Sequence, residues 1–413
     1  MEAALCLVPA LLFLRVNGSL QPRVALESVL ETGEGTALRQ GVYLAVFCSV
    51  VLLALRATPL SRWRGLFSLS LLALFAWAGL SVTWAVEPPI AARRYILTLV
   101  IAMTVLLLTT FGSPLQVLGR LRQGIVALAI ASLAAAVLVP DLAIHQPGDR
   151  EATIVGDWRG VFYHKNIFGS VLAPGLILVV HQLCAPGGRS RGALWAEAAL
   201  LLFLLVMSGS KTSLATGLAA SFFIWRGMIF TRRRGGFESL FFGLFVCVLA
   251  LTALALLYLA QSTTPALSPD SFTGRGLIWA TLLSLAQEQV WSGFGFQSVF
   301  QLGWASPLAR NSDLAFLAIL PHAHNVLLEM LVSIGLIGLA LFVAAIVVVP
   351  SRCFLMATSA HGNARFACIG LILFTWLHGL LEVGLLDRDR PDWIVFLFAY
   401  GVLRQLPVLE DGE

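Results

Sequence analysis

Pro321–Asn325 reads PHAHN and stands at the head of a long apolar run. A neutral imidazole is the side chain best placed to take a proton near neutral pH. Ionisable rings are costly next to lipid, so two of them at the mouth of an apolar segment need a reason. With Pro321 at the first helical position, His322 and His324 fall in the first turn. There the positive end of the helix disfavours imidazolium and attracts phosphate. In that register His322 shares a face with Asn325 and Glu329, and His324 points about 160° away. Helical geometry therefore pairs His322 with Glu329. Both histidines are candidate general bases.

A second set of residues could hold an anion. The chain has two lysines, Lys165 and Lys211. Lys165 follows Arg159 and His164 in GDWRGVFYHKN, Gly156–Asn166, and Lys211 lies in SGSKTSL, Ser208–Leu214. Arg275 and Arg310 stand in the connection 261–323. Each cation alone could snorkel to lipid headgroups; together they fit an anionic ligand. SGSKTSL lacks the strand and spacing of a nucleotide phosphate loop, and GFGFQS, Gly293–Ser298, lacks the third glycine of a dinucleotide fingerprint. His-x-His with His145 and His164 could suggest zinc, but no cysteine lies nearby and no acid follows at an ordered spacing. Neither a metal centre nor a cofactor is expected. The pair His378 and Glu382, four residues apart, reads as structural.

The elements that must position these groups are membrane helices. Of 413 residues 58% are hydrophobic and 12% charged, against roughly 25% charged in soluble domains, and mean hydropathy is +0.88. Apolar runs place spans at 41–57, 66–86, 95–112, 121–139, 166–184, 194–208, 212–230, 239–260, 324–350, 366–386 and 391–406. Ala3–Val16 makes twelve spans if it crosses and leaves eleven if it does not. The expected fold is all-α: a polytopic bundle forming one membrane domain over 1–413, with one long outer loop, 261–323. Within that loop Gly274–Phe300 has apolar residues at 278, 282 and 285 and reads as an interfacial amphipathic helix, ended by a tight turn at Gly293 and Gly295. Alternate loops carry Arg62, Arg64, Arg120, Arg122, Arg191, Arg232–Arg234, Arg352, Arg365 and Arg404, with Glu238 as their lone acid. By the positive-inside rule these are cytoplasmic, as is the C-terminus, and PHAHN faces outward. The net charge of +5 is thus a topology signal rather than a nucleic-acid footprint. Six cysteines form no disulfide framework.

RGVFYHKN, SGSKTSL, GRGLIW, WSGFGF and HAHNVLLEMLVSIGLIGL occur in this order between about 150 and 390. This set resembles the O-antigen ligase and polymerase family of bacterial inner-membrane proteins, and the HKN block looks most like its exopolysaccharide-polymerase branch. The resemblance implies a glycan donor on an undecaprenyl-diphosphate carrier and an acceptor hydroxyl at the periplasmic face. The acceptor is lipid A–core for a ligase and another lipid-linked repeat unit for a polymerase. The implied chemistry is metal-independent and inverting. By resemblance Arg275 and Lys211 bind the diphosphate and His324 is the base; Lys211 stands where the family often has arginine. Partners implied are membrane lipids and other polysaccharide-assembly proteins, with no nucleic acid.

Two other classes fit an apolar chain with buried charges. A transporter or flippase of lipid-linked sugars should show repeat symmetry and charges near the midplane. A non-catalytic scaffold of a polysaccharide machine would leave the outer cations without a task. Here the polar groups gather at the outer ends, which favours an enzyme.

Overall fold

The structure, a computed structural model, describes residues 2–14, 37–149, 152–185, 190–230, 275–300, 302, 305–310, 320–357 and 362–410. The run 239–260, the Arg232–Arg234 loop and most of 261–323 lie outside the described residues.

Among the described residues the chain is helical, with no strand beyond one isolated bridge, Ile144 to Trp158. The main helices are α1 (Glu2–Phe13), α2 (Ala37–Ala57), α3 (Leu60–Leu66), α4 (Leu69–Ser81), α5 (Pro88–Leu108), α6 (Pro114–Leu138) and α7 (Lys165–Cys184). They continue with α8 (Arg191–Met207), α9 (Lys211–Phe230), α10 (Arg275–Glu288), α11 (Val326–Val343), α12 (Val349–Met356), α13 (Gly362–Gly379) and α14 (Pro391–Glu410). Among the described residues five segments are long and apolar enough to cross a membrane: Gln40–Ala57, Pro88–Leu108, Pro114–Leu138, Lys165–Cys184 and Val326–Met356. A sixth counts if α3 and α4, bent by 70°, act as one span. The run expected over 66–86 is found as Leu69–Trp84, starting after the bend because Phe67 and Ser68 are extended and Ser68 caps α4 by accepting from Leu71 N.

In the bundle α7 packs on α8 and α9, α9 on α13, α13 on α14, and α14 on α5; α11 packs on α4 and α10. One apolar core runs through most of these helices. A smaller second core joins Ile278, Leu282 and Leu285 of α10 to Phe294, Leu320 and Ala323 and to Leu328 and Val332 of α11. The helix expected over the GRGLIW stretch is present, with those three apolar positions turned inward.

Among the described residues, four arginines of the alternate loops donate to backbone carbonyls. Arg62 donates to Thr110 O (3.4 Å), Arg120 to Phe111 O, Arg365 to Ala357 O (2.8 Å) and Arg404 to Gly65 O (3.0 Å). Most close the carbonyl end of a helix, where backbone acceptors are left over. Residues of the opposite loops meet one another.

One break in α11 positions these loops. Gly335 has φ 69° and ψ −173° inside the helix. The turn at Gly293 (φ 64°) fills the gap: Phe294 N donates to Val332 O (2.9 Å) and Leu336 N to Val290 O (2.8 Å). A Cβ on Gly293 would sit 2.6 Å from Gly335 N, and one on Gly335 would strike the Trp291 carbonyl. Both positions need glycine for close approach as well as for φ.

Candidate active site

Asn325, rather than Pro321, begins the PHAHN helix: it is the N-cap of α11, accepting from Leu328 N at 3.1 Å. Pro321–His324 therefore lie outside the helix, and His324 has φ 54°. This corrects the helical register in which His322 shared a face with Glu329. Buried Glu329 instead accepts from Ala323 N at 2.9 Å and fixes the chain between the two histidines. Trp279 of α10 holds the same residue from outside by donating to Ala323 O at 3.0 Å. Asn325 Nδ2 donates to Leu380 O (3.2 Å), tying this cap to the segment after α13.

That segment supplies the centre of the site. α13 ends at Gly379, so Glu382 stands beyond it rather than within a span. Its Oε1 accepts from Arg275 Nη2 at 2.8 Å and from Asn166 Nδ2 at 3.4 Å; its Oε2 lies 3.4 Å from His324 Nδ1. His322 and His324 pack ring to ring, 4.2 Å between centroids. Burial, with His324 and Arg390 nearby, holds His322 well below the ordinary histidine range, so that ring is neutral. Three stretches distant in sequence, at Asn166, Arg275 and His324, thus converge on the carboxylate of a fourth.

The HKN block lines the same region. His164 caps α7, its Nδ1 accepting from Asn166 N (3.2 Å), so Nε2 carries the proton. Burial and neighbouring His145 lower His164 to about 4. His145 accepts from Lys165 N (3.2 Å) and donates through Nδ1 to Asp149 (2.6 Å). Lys165 pairs with Asp157 at 2.5 Å. Arg159 points elsewhere, donating to Leu142 O (2.8 Å) and Tyr163 O (3.4 Å), where it clamps its own loop. Lys211 is exposed at the first position of α9. The side chain of Arg310 lies outside the described residues.

The turn before Lys211 hangs on a buried chain of polar groups. Ser210 Oγ donates to Ser213 Oγ (2.9 Å), Ser213 Oγ lies 3.0 Å from His378 Nε2, and His378 Nδ1 faces Asp392 at 2.9 Å. His378 pairs with Asp392, not with Glu382 as its spacing suggested.

Sequence reading passed over the run DRDRPD, Asp387–Asp392. Asp387 is buried between Arg388 (2.7 Å), Arg390 (3.2 Å) and Gln297 Nε2 (3.0 Å). Arg94 donates to Gln297 O and Phe300 O and holds the GFGFQS turn against this loop. The sign was available: six residues with five charges, set between two apolar runs. Asn166 and Glu382 gave less warning, since each is one polar residue whose partners stand far off in sequence, 216 positions for the pair itself and 107 for Glu382 and Arg275.

The arrangement offers a histidine backed by a carboxylate, an arginine sharing that carboxylate, and further cations around them. It can orient a ring for proton uptake and hold negative charge beside it. No curated protein matches the chain. The family model described as O-antigen ligase matches residues 196–343. That stretch holds SGSKTSL, GRGLIW, WSGFGF and HAHN, and the match supports the resemblance to the O-antigen ligase and polymerase family read from those residues.

Proposed function

We propose that this chain transfers a glycan from an undecaprenyl-diphosphate carrier to an acceptor hydroxyl at the periplasmic face of the inner membrane. It does so either in polymerising repeat units or in ligating O-antigen to lipid A–core. The observation that carries this reading is the meeting of His324, Arg275 and Asn166 on Glu382 at one end of an apolar bundle.

Glu382 on the Nδ1 side favours a proton there and leaves Nε2 of His324 as the base, the division of labour of a base and its orienting acid. The separation of 3.4 Å is loose, as such bonds often are before substrate binds. The acceptor hydroxyl loses its proton to His324 as its oxygen bonds the anomeric carbon. The bond from that carbon to the diphosphate oxygen breaks, and the carrier leaves with the electron pair. Attack opposite the leaving group inverts the centre. Arg275 and Lys211 meet the developing charge, and no metal or ATP enters the step because the donor is already activated. Membrane helices supply the surface along which the polyprenyl tail lies.

The test is to incubate purified protein with lipid-linked repeat units in the presence of chelator and without ATP. A ladder of longer lipid-linked glycans identifies a polymerase, and product formed only when lipid A–core is added identifies a ligase. No product under either condition overturns the reading.

A further inference from the structure

The cluster at His324 has a property that proton transfer does not use. One ring nitrogen of His322, one of His324 and one oxygen of Glu382 all lie within 4.8 Å of one another. Nδ1 of each histidine is buried; that of His322 has no hydrogen-bond partner among the described residues, and that of His324 has only the loose approach of Glu382 Oε2. His322 as a whole is 9% exposed. A buried ring nitrogen without a partner is costly, and the His322 ring and the loosely held His324 ring meet in this one cluster. The distance from His324 Nδ1 to Glu382 Oε2, 3.4 Å, is long for a charge-assisted hydrogen bond. It matches the separation of neighbouring ligand atoms in a tetrahedral zinc site, about 3.3 Å for bonds near 2.0–2.1 Å. Oε1 of the same carboxylate is already oriented by Arg275 and Asn166, which leaves Oε2 as a single ligand atom held from behind. Sequence spacing showed a His-x-His with no acid in range; the fold brings one from 58 positions onward, since 382 − 324 = 58.

We infer that His322, His324 and Glu382 form a binding site for a zinc-class divalent cation, with a fourth position open to water. Two imidazoles and one carboxylate form a common zinc set, while a hard cation such as magnesium prefers oxygen. Resting on the proposed role of His324, the bound ion opposes glycan transfer. A cation on Nδ1 takes the place of the proton there and leaves it on Nε2, which then donates rather than accepts. The site is thus a brake worked by metal, outside the reaction itself.

The test is titration of purified, metal-free protein bearing no histidine tag with cobalt(II). Expected is one equivalent bound with the visible absorbance of a tetrahedral ion, displaced by zinc and untouched by magnesium. His322→Gln and Glu382→Gln should each weaken binding by more than about tenfold, while His145→Gln, in the neighbouring pair, should not. Transfer by wild-type protein should fall at least about tenfold with saturating zinc and recover with chelator. No stoichiometric binding by folded wild-type protein, or loss of binding in His145→Gln, overturns the site. Full transfer with the ion bound overturns the brake. If cobalt binds as expected but metal-free protein transfers no glycan, the site stands and the transferase reading falls.

Discussion

His378 and His324 each face a carboxylate, at different depths. His378 and Asp392 are 4% and 5% exposed and 2.9 Å apart, with Ser213 on the far ring nitrogen and Phe374 stacked on the ring. His324 and Glu382 are 23% and 8% exposed and 3.4 Å apart, and His324 sits on strained left-handed backbone. The first set has the order of a hydrolase triad without access for a substrate. Its ring faces Ser213 on one side and Asp392 on the other and so joins α9, α13 and α14. The second pair keeps one side of its ring open. Residue types alone do not separate these two histidines; their exposure does.

The largest effect should come from His324→Ala. Turnover should fall by about 10²–10⁴, the usual worth of a general base, with donor binding largely kept. His322→Ala should cost less. Normal turnover in His324→Ala with a dead His322→Ala would move the base to His322.

Removing the anion contacts comes next. Arg275→Ala and Lys211→Ala should each lower transfer by about 10²–10³ while the protein still inserts, and Lys211→Arg should keep most activity because the charge remains. Full activity in Lys211→Ala would make that lysine a headgroup anchor.

Glu382→Gln keeps shape and removes charge. Turnover should fall by about 10–100-fold with KM nearly constant, since the ring would be poorly oriented. An unchanged rate would dissolve the contrast between the two pairs.

Asp392→Asn should act on stability instead. Loss of one partner of a buried pair typically costs about 3–5 kcal/mol. Thermal unfolding in detergent should shift down, with activity per folded molecule within about twofold. A large rate loss in fully folded Asp392→Asn would show that the buried chain reaches the chemistry.

The smallest effect concerns His164. Its folded value of about 4 lies below the ordinary histidine value of 6.5. Between those values the unfolded chain binds a proton that the folded one refuses. The stabilisation is therefore whole above 6.5 and is lost as pH falls toward 4. Unfolding temperature followed from pH 7 to 5 should drop less in His164→Gln than in wild type; parallel curves would rule the contribution out.

Much of this was legible in the residues. Apolar runs gave the long helices because lipid demands continuous backbone pairing. Gly293 and Gly295 read correctly as a turn, with φ 64° and 96°. The His322–Glu329 geometry failed because Pro321 suggested a helix start that Asn325 takes instead. Glu382 was misassigned because spacing of four implies a partner only while the helix lasts, and α13 stops at Gly379. What the sequence hid was tertiary: Asn166, Arg275, His324 and Glu382 share no local pattern.

The gap in α11 at Gly335 bears on how the site tolerates its surroundings. A span that does not match the local thickness of its bilayer tilts or bends to fit. In an unbroken helix that tilt would reach the cap at Asn325 undiminished. Here the helix is interrupted at Gly335, and the Gly293 turn bonds both edges of the gap, at Val332 O and Leu336 N, so a lean of the length beyond would reach the cap through that turn rather than through continuous helix. Registry of the groups proposed to react should thereby be less sensitive to membrane composition.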